Sequence, residues 1–171
     1  MVSSFALLVA RLVVGLGLAT HGSQKLFGWF GGSGPKGIGA YFATLGFPAP
    51  VAFAILAGIG EFAGGLLLAV GWLGPIGPAL IITVMLVASL SEHLPHGFFN
   101  YNGGYELPAA YAMTALVLAF VGPGSLSIDA LVPVAGLAHP EAAWIAIGAG
   151  LLIGLVVSAM RRAPHTSEKR A

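Results

Sequence analysis

The first apolar run of the chain carries Arg11, His21 and Lys25, and it ends in T-H-G-S-Q-K-L-F-G-W-F-G-G, Thr20 to Gly32. At ~100° per residue, Arg11 and Lys25 lie only ~40° apart around a helix, and His21 falls in the same ~80° sector. A second run carries Glu61 beside Gly60, Gly64 and Gly65. A charge at mid-bilayer costs about 2.5–3.5 kcal/mol on insertion scales, so such groups point inward and take partners. Counted from the loop that joins the two runs, at ~1.5 Å per residue, Glu61 comes out about 16 Å deep, Arg11 about 24 Å and His21 about 9 Å. Glu61 is therefore expected between a cation and an imidazole, with the long Arg11 side chain reaching it.

Further along, Met85, Ser89, Glu92 and His93 follow helical spacing, and His96 follows Pro95. The connecting loop H-L-P-H-G-F-F-N-Y-N-G-G-Y-E-L-P brings Glu106 to the head of another helix. In an up-and-down bundle this loop opens at the same end as Thr20 to Gly32. His21, Lys25, His93, His96 and Glu106 should then meet there, among Phe27, Trp29, Phe30, Phe98, Phe99, Tyr101 and Tyr105. Histidine, glutamate and tyrosine are the usual proton donors and acceptors, and aromatic walls suit a flat ring such as a quinone. On this reading His21, Lys25, Glu61 and Glu106 carry the chemistry. Arg11, His93, His96, Trp29, Phe98 and Tyr105 hold the ligand.

Plainer readings stand beside this one. An aromatic belt at a membrane interface needs no ligand, Lys25 can snorkel, and Arg11 with Glu61 can be a structural ion pair. Two histidines on separate helices can ligate a haem, although nothing specifies one. His93-x-x-His96 with an intervening proline lacks the i, i+4 spacing of a helical zinc pair, so no metal ligand is assigned, and a haem or metal site on His21, His93 and His96 stays as a further alternative. G-G-S-G-P-K-G lacks the spacing of a phosphate loop.

The elements that must position these residues are membrane helices. Of the 171 residues, 57% are hydrophobic and 8% charged, against roughly 25% charged in soluble domains. Runs at about 5–27, 51–73, 75–94 and 106–121 approach the ~20 apolar residues a span needs, and a fifth run covers about 142–160. Strand alternation is absent, and open sheet edges are not tolerated in lipid. The expected fold is an all-α membrane protein, a four-helix transmembrane bundle with an additional fifth C-terminal transmembrane helix. Residues 1–125 form the bundle and 126–160 a connection plus the fifth helix. The first part of that connection, G-P-G-S-L-S-I-D-A-L-V-P, has room for a loop and a short interfacial helix. Residues 161–171 form a basic, solvated tail.

Small residues mark packing faces: Ala146, Gly150 and Gly154 in the fifth run, and Ala54, Ala57, Gly58, Gly64 and Gly65 in the second. Met1 to Ala10 carries no basic side chain, so the first run reads as a retained span rather than a signal peptide. Lys25, Lys36, Arg161, Arg162, Lys169 and Arg170 place the first loop and the tail in the cytoplasm and the N-terminus outside. A net charge of +1 gives no footprint for nucleic acid. With no cysteine, the chain has no disulfide, CxxC pair or iron–sulfur ligands. Electrons for any redox step must come from a ligand or a partner.

The ordered motifs R-L-V-V-G-L-G-L-A-T-H-G-S-Q-K-L-F-G-W-F-G-G, L-G-F, G-E-F-A-G-G-L-L-L-A-V-G, S-E-H-L-P-H-G-F-F, G-G-Y-E and G-P-G-S-L-S-I-D resemble the DoxX family of small bacterial membrane proteins. The resemblance spans about Arg11 to Asp129 and implies a four-helix bundle in the bacterial inner membrane. Arg11, His21, Lys25, Glu61, His96 and Glu106 match its recurring polar positions, as do Gly31, Gly32 and Gly97. The family is named for similarity to a subunit of a thiosulfate:quinone oxidoreductase, and other members are linked to redox or thiol stress. This implies a redox-associated subunit with a partner redox protein. A non-enzymatic scaffold, assembly factor or solute pathway, and a homo-oligomer, remain open.

Overall fold

A computed structural model describes residues 2–162. Helix α1 runs over Val2–Phe27, α2 over Gly34–Thr44, α3 over Pro50–Val70 and α4 over Ile76–Ala88. A π turn, Ser89–His93, and a 3-10 turn, Leu94–His96, continue α4 into one helical stretch. Then come α5 at Glu106–Val121, the single turn α6 at Ile128–Leu131, and α7 at Pro140–Ala159. Among the described residues α1, α3, α4 with its continuation, and α7 are long and apolar enough to cross a membrane, while α5 is a shorter apolar helix of 16 residues. The molecule is an all-helical membrane protein.

Helix α2 occupies a stretch read from sequence as loop. Pro35 in its first turn presets the helical φ, and Ile38, Phe42 and Leu45 supply an apolar face at helical spacing. That face packs over α3, where Phe42 stacks on Phe47 and Phe47 meets Phe53.

Helix α4 is central, with α3, α5 and α7 against it, and the α1–α3 contact is the most extensive in the molecule. Small residues set both approaches. On α3, Gly58 and Gly65 face α1, while Gly60 and Gly64 face Val84, Leu80 and Gly77 of α4. One apparent small-residue face in sequence thus serves two neighbours. Gly150 and Gly154 of α7 sit against Ala79, Thr83 and Leu86. Thr83 Oγ1 donates to its own helix at Ala79 O (2.8 Å) and lies 3.0 Å from Gly150 O, tying α4 to α7.

The chain after residue 160 departs from the expected solvated tail where it is described. Arg161 is half-buried, and its Nε donates to Leu45 O (2.8 Å). The amide of Arg162 donates to Gly46 O (2.9 Å). Helix α7 therefore ends beside the α2–α3 connection, at the same end of the bundle as the first loop. The rest of the basic tail, 163–171, lies outside the described residues.

Candidate functional site

Between α1, α2, α3, α4 and α5 lies a cavity of ≈ 400 Å³. Its walls are apolar over Leu18, Ile38, Phe42, Val84, Met85 and Leu107, with polar groups from His21, Lys25, Tyr41, Glu61, Ser91, Glu92, His93, Asn100 and Tyr111. Of the residues singled out in sequence, the fold brings His21, Lys25, Glu61 and His93 to this cavity. Arg11, Trp29, His96, Phe98, Tyr105 and Glu106 are not in its lining.

The Arg11–Glu61 pairing is overturned. Glu61, 4% exposed, forms its salt bridge with Lys25. The reason is the register of the antiparallel α1–α3 pair, in which Gly22 meets Gly58 and Phe62, and Gly15 meets Gly65 and Ala69. Lys25 is thereby carried to the Glu61 level and Arg11 to the far end of α3. There Arg11, 1% exposed, donates to Leu126 O and packs so closely on Gly71 that no side chain fits at that position. Its Nε and Nη1 have no hydrogen-bond partner among the described residues.

G-P-G-S-L-S-I-D forms the floor beneath Arg11. Asp129 accepts from the amides of Leu73 (3.1 Å) and Gly74 (2.7 Å), and its own amide donates to Gly71 O (3.0 Å). Ser127 Oγ accepts from Ala130 N (3.2 Å) as the cap of α6. This end of the molecule is a packed structural joint.

Around the cavity the histidines are oriented by their δ nitrogens. Gln24 Nε2 donates to Phe30 O (3.1 Å), which turns Gln24 Oε1 towards His21 Nδ1 at 3.1 Å. Neutral His21 therefore carries its proton on Nδ1 and leaves Nε2 as an acceptor. The same holds for His93, whose Nδ1 lies 2.7 Å from Gly103 O. His96 Nδ1 points back to Glu92 O at 2.9 Å, outside the cavity lining. The His21 and Tyr111 rings meet in a T-shaped arrangement, with centroids 6.5 Å apart.

The turn G-W-F-G-G folds back on α1. Gly28 and Gly31 take φ of 72° and 77°, and a side chain at Gly32 would strike the Gln24 backbone. The turn thus delivers the Phe30 carbonyl that fixes Gln24 and, through it, His21. Glu106 does a related job in the other loop, accepting from Asn100 N (2.9 Å), while Tyr105 N and Glu106 N bond Gly97 O and Phe98 O. Trp29, Phe98, Phe99 and Tyr101 are exposed on these loops, as residues of an interfacial belt would be.

Tyr41 and Tyr111 were not singled out from the sequence, and Glu92 was noted only for its helical spacing. Tyr41 is placed by α2, for which no span pattern exists. Glu92 sits in the π turn, where Leu94 N bonds Ser89 O in place of an α-helical bond. Such a turn rotates the side chains after it, and π turns recur at functional sites. The sequence signal was Pro95, which cannot supply a helical N–H.

Partial burial pushes the Tyr41 phenol up to about 12, with a hydrogen bond to Glu92 and the charge of that carboxylate adding to the shift. The raised value means the neutral phenol is favoured in the fold. Its contribution to stability is complete below the ordinary tyrosine value near 10 and is lost as pH rises through about 12. In an absorbance titration of the four tyrosines we expect one to ionise last, near pH 12. Glu92→Gln should move that midpoint down but leave the part due to burial. An unchanged midpoint would separate Tyr41 from Glu92.

Helices long and apolar enough to span a bilayer, enclosing a cavity edged by protonatable groups, define a multi-pass membrane protein. The chain belongs to the DoxX family, whose family model matches residues 6–94, just over half of it. An uncharacterized protein of Haemophilus influenzae is 35% identical over 68 residues, 39% of this chain and 43% of that protein. The match therefore covers less than half the length of that relative. No solved structure matches the chain.

Proposed function

We propose that the cavity binds a quinone-like ring and that the protein is a redox-associated subunit of the bacterial inner membrane, with residue 162 on the cytoplasmic side. The observation that carries this is the wall composition: a largely apolar space of ≈ 400 Å³ with two imidazoles, two phenols and the Lys25–Glu61 pair among the groups at its polar edge. Ligand pockets of ≈ 300–1,000 Å³ with a few placed polar groups suit small apolar molecules. Lys25 is neutralised by Glu61, so the site favours an uncharged ring over a small anion.

Reduction of a quinone takes two electrons and two protons and gives each carbonyl oxygen one proton. Tyr41, whose neutral phenol the fold favours, hydrogen-bonds one oxygen and keeps its proton, so the proton for that oxygen comes from bulk water. His21, once protonated on Nε2, is a donor to another, with Lys25 polarising the ring. The electrons come from a partner redox protein, since the chain has no cysteine to ligate a cluster.

Native mass spectrometry of the detergent-purified protein should find a retained quinone, and added decylubiquinone should bind. His21→Ala should weaken that binding about tenfold, the loss of one hydrogen bond of ~1.4 kcal/mol. Wild-type protein that neither retains a quinone nor binds decylubiquinone would sink the proposal. An absorption spectrum separates it from a haem held through Nε2 of His21 or His93.

A further inference from the structure

Two walls of the cavity come from elements far apart in sequence. Leu45, at the end of α2, lines one side, and Ser91 and Glu92, in the π turn of α4, line another. Tyr41 and Glu92 approach one another across the cavity, but the backbones of the two walls need a further link to hold their separation. The π turn also leaves a carbonyl in need of a donor. Leu94 N is taken by Ser89 O, and residue 95 is proline, with no N–H to offer. Leu90 O is thereby released from the helix ladder.

Arg161, at the end of α7, answers both needs. Its Nη1 donates to Leu90 O (3.1 Å) and its Nε to Leu45 O (2.8 Å), so one guanidinium spans the two walls from behind. The guanidinium lies 5.8 Å from the Phe47 ring centroid. Phe47 is buried and stacks on Phe42, another lining residue. The Arg162 amide adds a bond to Gly46 O (2.9 Å). A planar fork with donors in fixed directions suits two carbonyls at once, which a lysine ammonium on a flexible stem does not match.

We infer that Arg161 is a positioning residue for the cavity: by bridging the Leu45 and Leu90 carbonyls, it lets α7 set the distance between the α2 and α4 walls and hence the fit of the ring between them. The consequence for ligand binding rests on the proposed function. The bridge itself does not. Helix α7 and Arg161 lie outside residues 6–94, where the family model matches, so this control of the site belongs to the C-terminal addition.

The natural absence of cysteine permits a direct test by spin labelling of the full chain in lipid nanodiscs. Thr44→Cys and Leu94→Cys place nitroxides on the exposed outer ends of the two walls. A control pair at Val70→Cys and Phe120→Cys, both exposed, sits at the far end of the bundle. Arg161→Ala should lengthen or broaden the Thr44–Leu94 distance distribution and leave the control pair unchanged. Decylubiquinone binding should weaken at least tenfold, and Arg161→Lys should fall between wild type and Arg161→Ala in both readouts.

An unchanged Thr44–Leu94 distance overturns the inference, as does equal broadening of both pairs, which would make Arg161 a general stabiliser. If Arg161→Ala does not fold, Arg161→Lys decides by the same two distances. Wild-type protein that binds no decylubiquinone overturns the quinone reading, and the distances still decide whether Arg161 spaces the walls.

Discussion

Lys25→Met is expected to destabilise the protein by about 3 kcal/mol, the lower end of the cost of stranding one member of a buried ion pair. Glu61 is 4% exposed and its recorded partner is Lys25. Without the ammonium, the carboxylate must be buried unpaired or protonate. Glu61→Gln removes the charge that needs a partner but leaves Lys25, which lines the cavity and is partly exposed, so its cost should be smaller. The double variant Lys25→Met with Glu61→Gln should recover most of the stability, because the two changes are strongly coupled. It should not recover ligand binding, since the polar edge of the cavity is then missing. Unfolding in detergent, followed by circular dichroism, measures the three variants. Additive losses would show that the two residues do not depend on one another.

The second large effect is expected at the α1–α3 crossing. A Cβ placed on Gly65 would lie 2.4 Å from Gly15 O and 2.7 Å from Ala19 N, both backbone atoms. Neither can swing aside as a side chain would, so the helices must separate. Gly65→Val should cost about 3 kcal/mol, the upper end of overpacking penalties. It should also pull Lys25 away from Glu61, because both residues are positioned by this contact. Gly148→Ala is the matched control, since a Cβ there meets nothing within 4 Å. Thermal unfolding of the two variants checks the contrast, and equal stability would refute the packing account.

The sequence by itself determined the helices, the lipid environment and most of the polar inventory. Apolar runs of span length with 8% charged residues allow little else, because backbone groups in lipid must bond within their own segment. Helical phase and depth, counted along the chain, led to the expectation that His21, Lys25, His93, His96 and Glu106 would meet at one end; His21, Lys25 and His93 line the cavity together with Glu61, while His96 and Glu106 do not. The tertiary structure decided what counting cannot reach. The partner of Glu61 depended on the register of α1 against α3, which is set by glycine contacts between segments rather than by the depth of either one. Arg11 shares a helical face with Lys25 in sequence, yet it serves the joint made by Leu126 and Gly71. Tyr41 reached the cavity through α2, a helix too short to show a span signal. Arg161 looked like a tail residue until Pro95 and the π turn left Leu90 O without a donor. In each case the deciding interaction joins residues distant in the chain, and only packing brings such residues together.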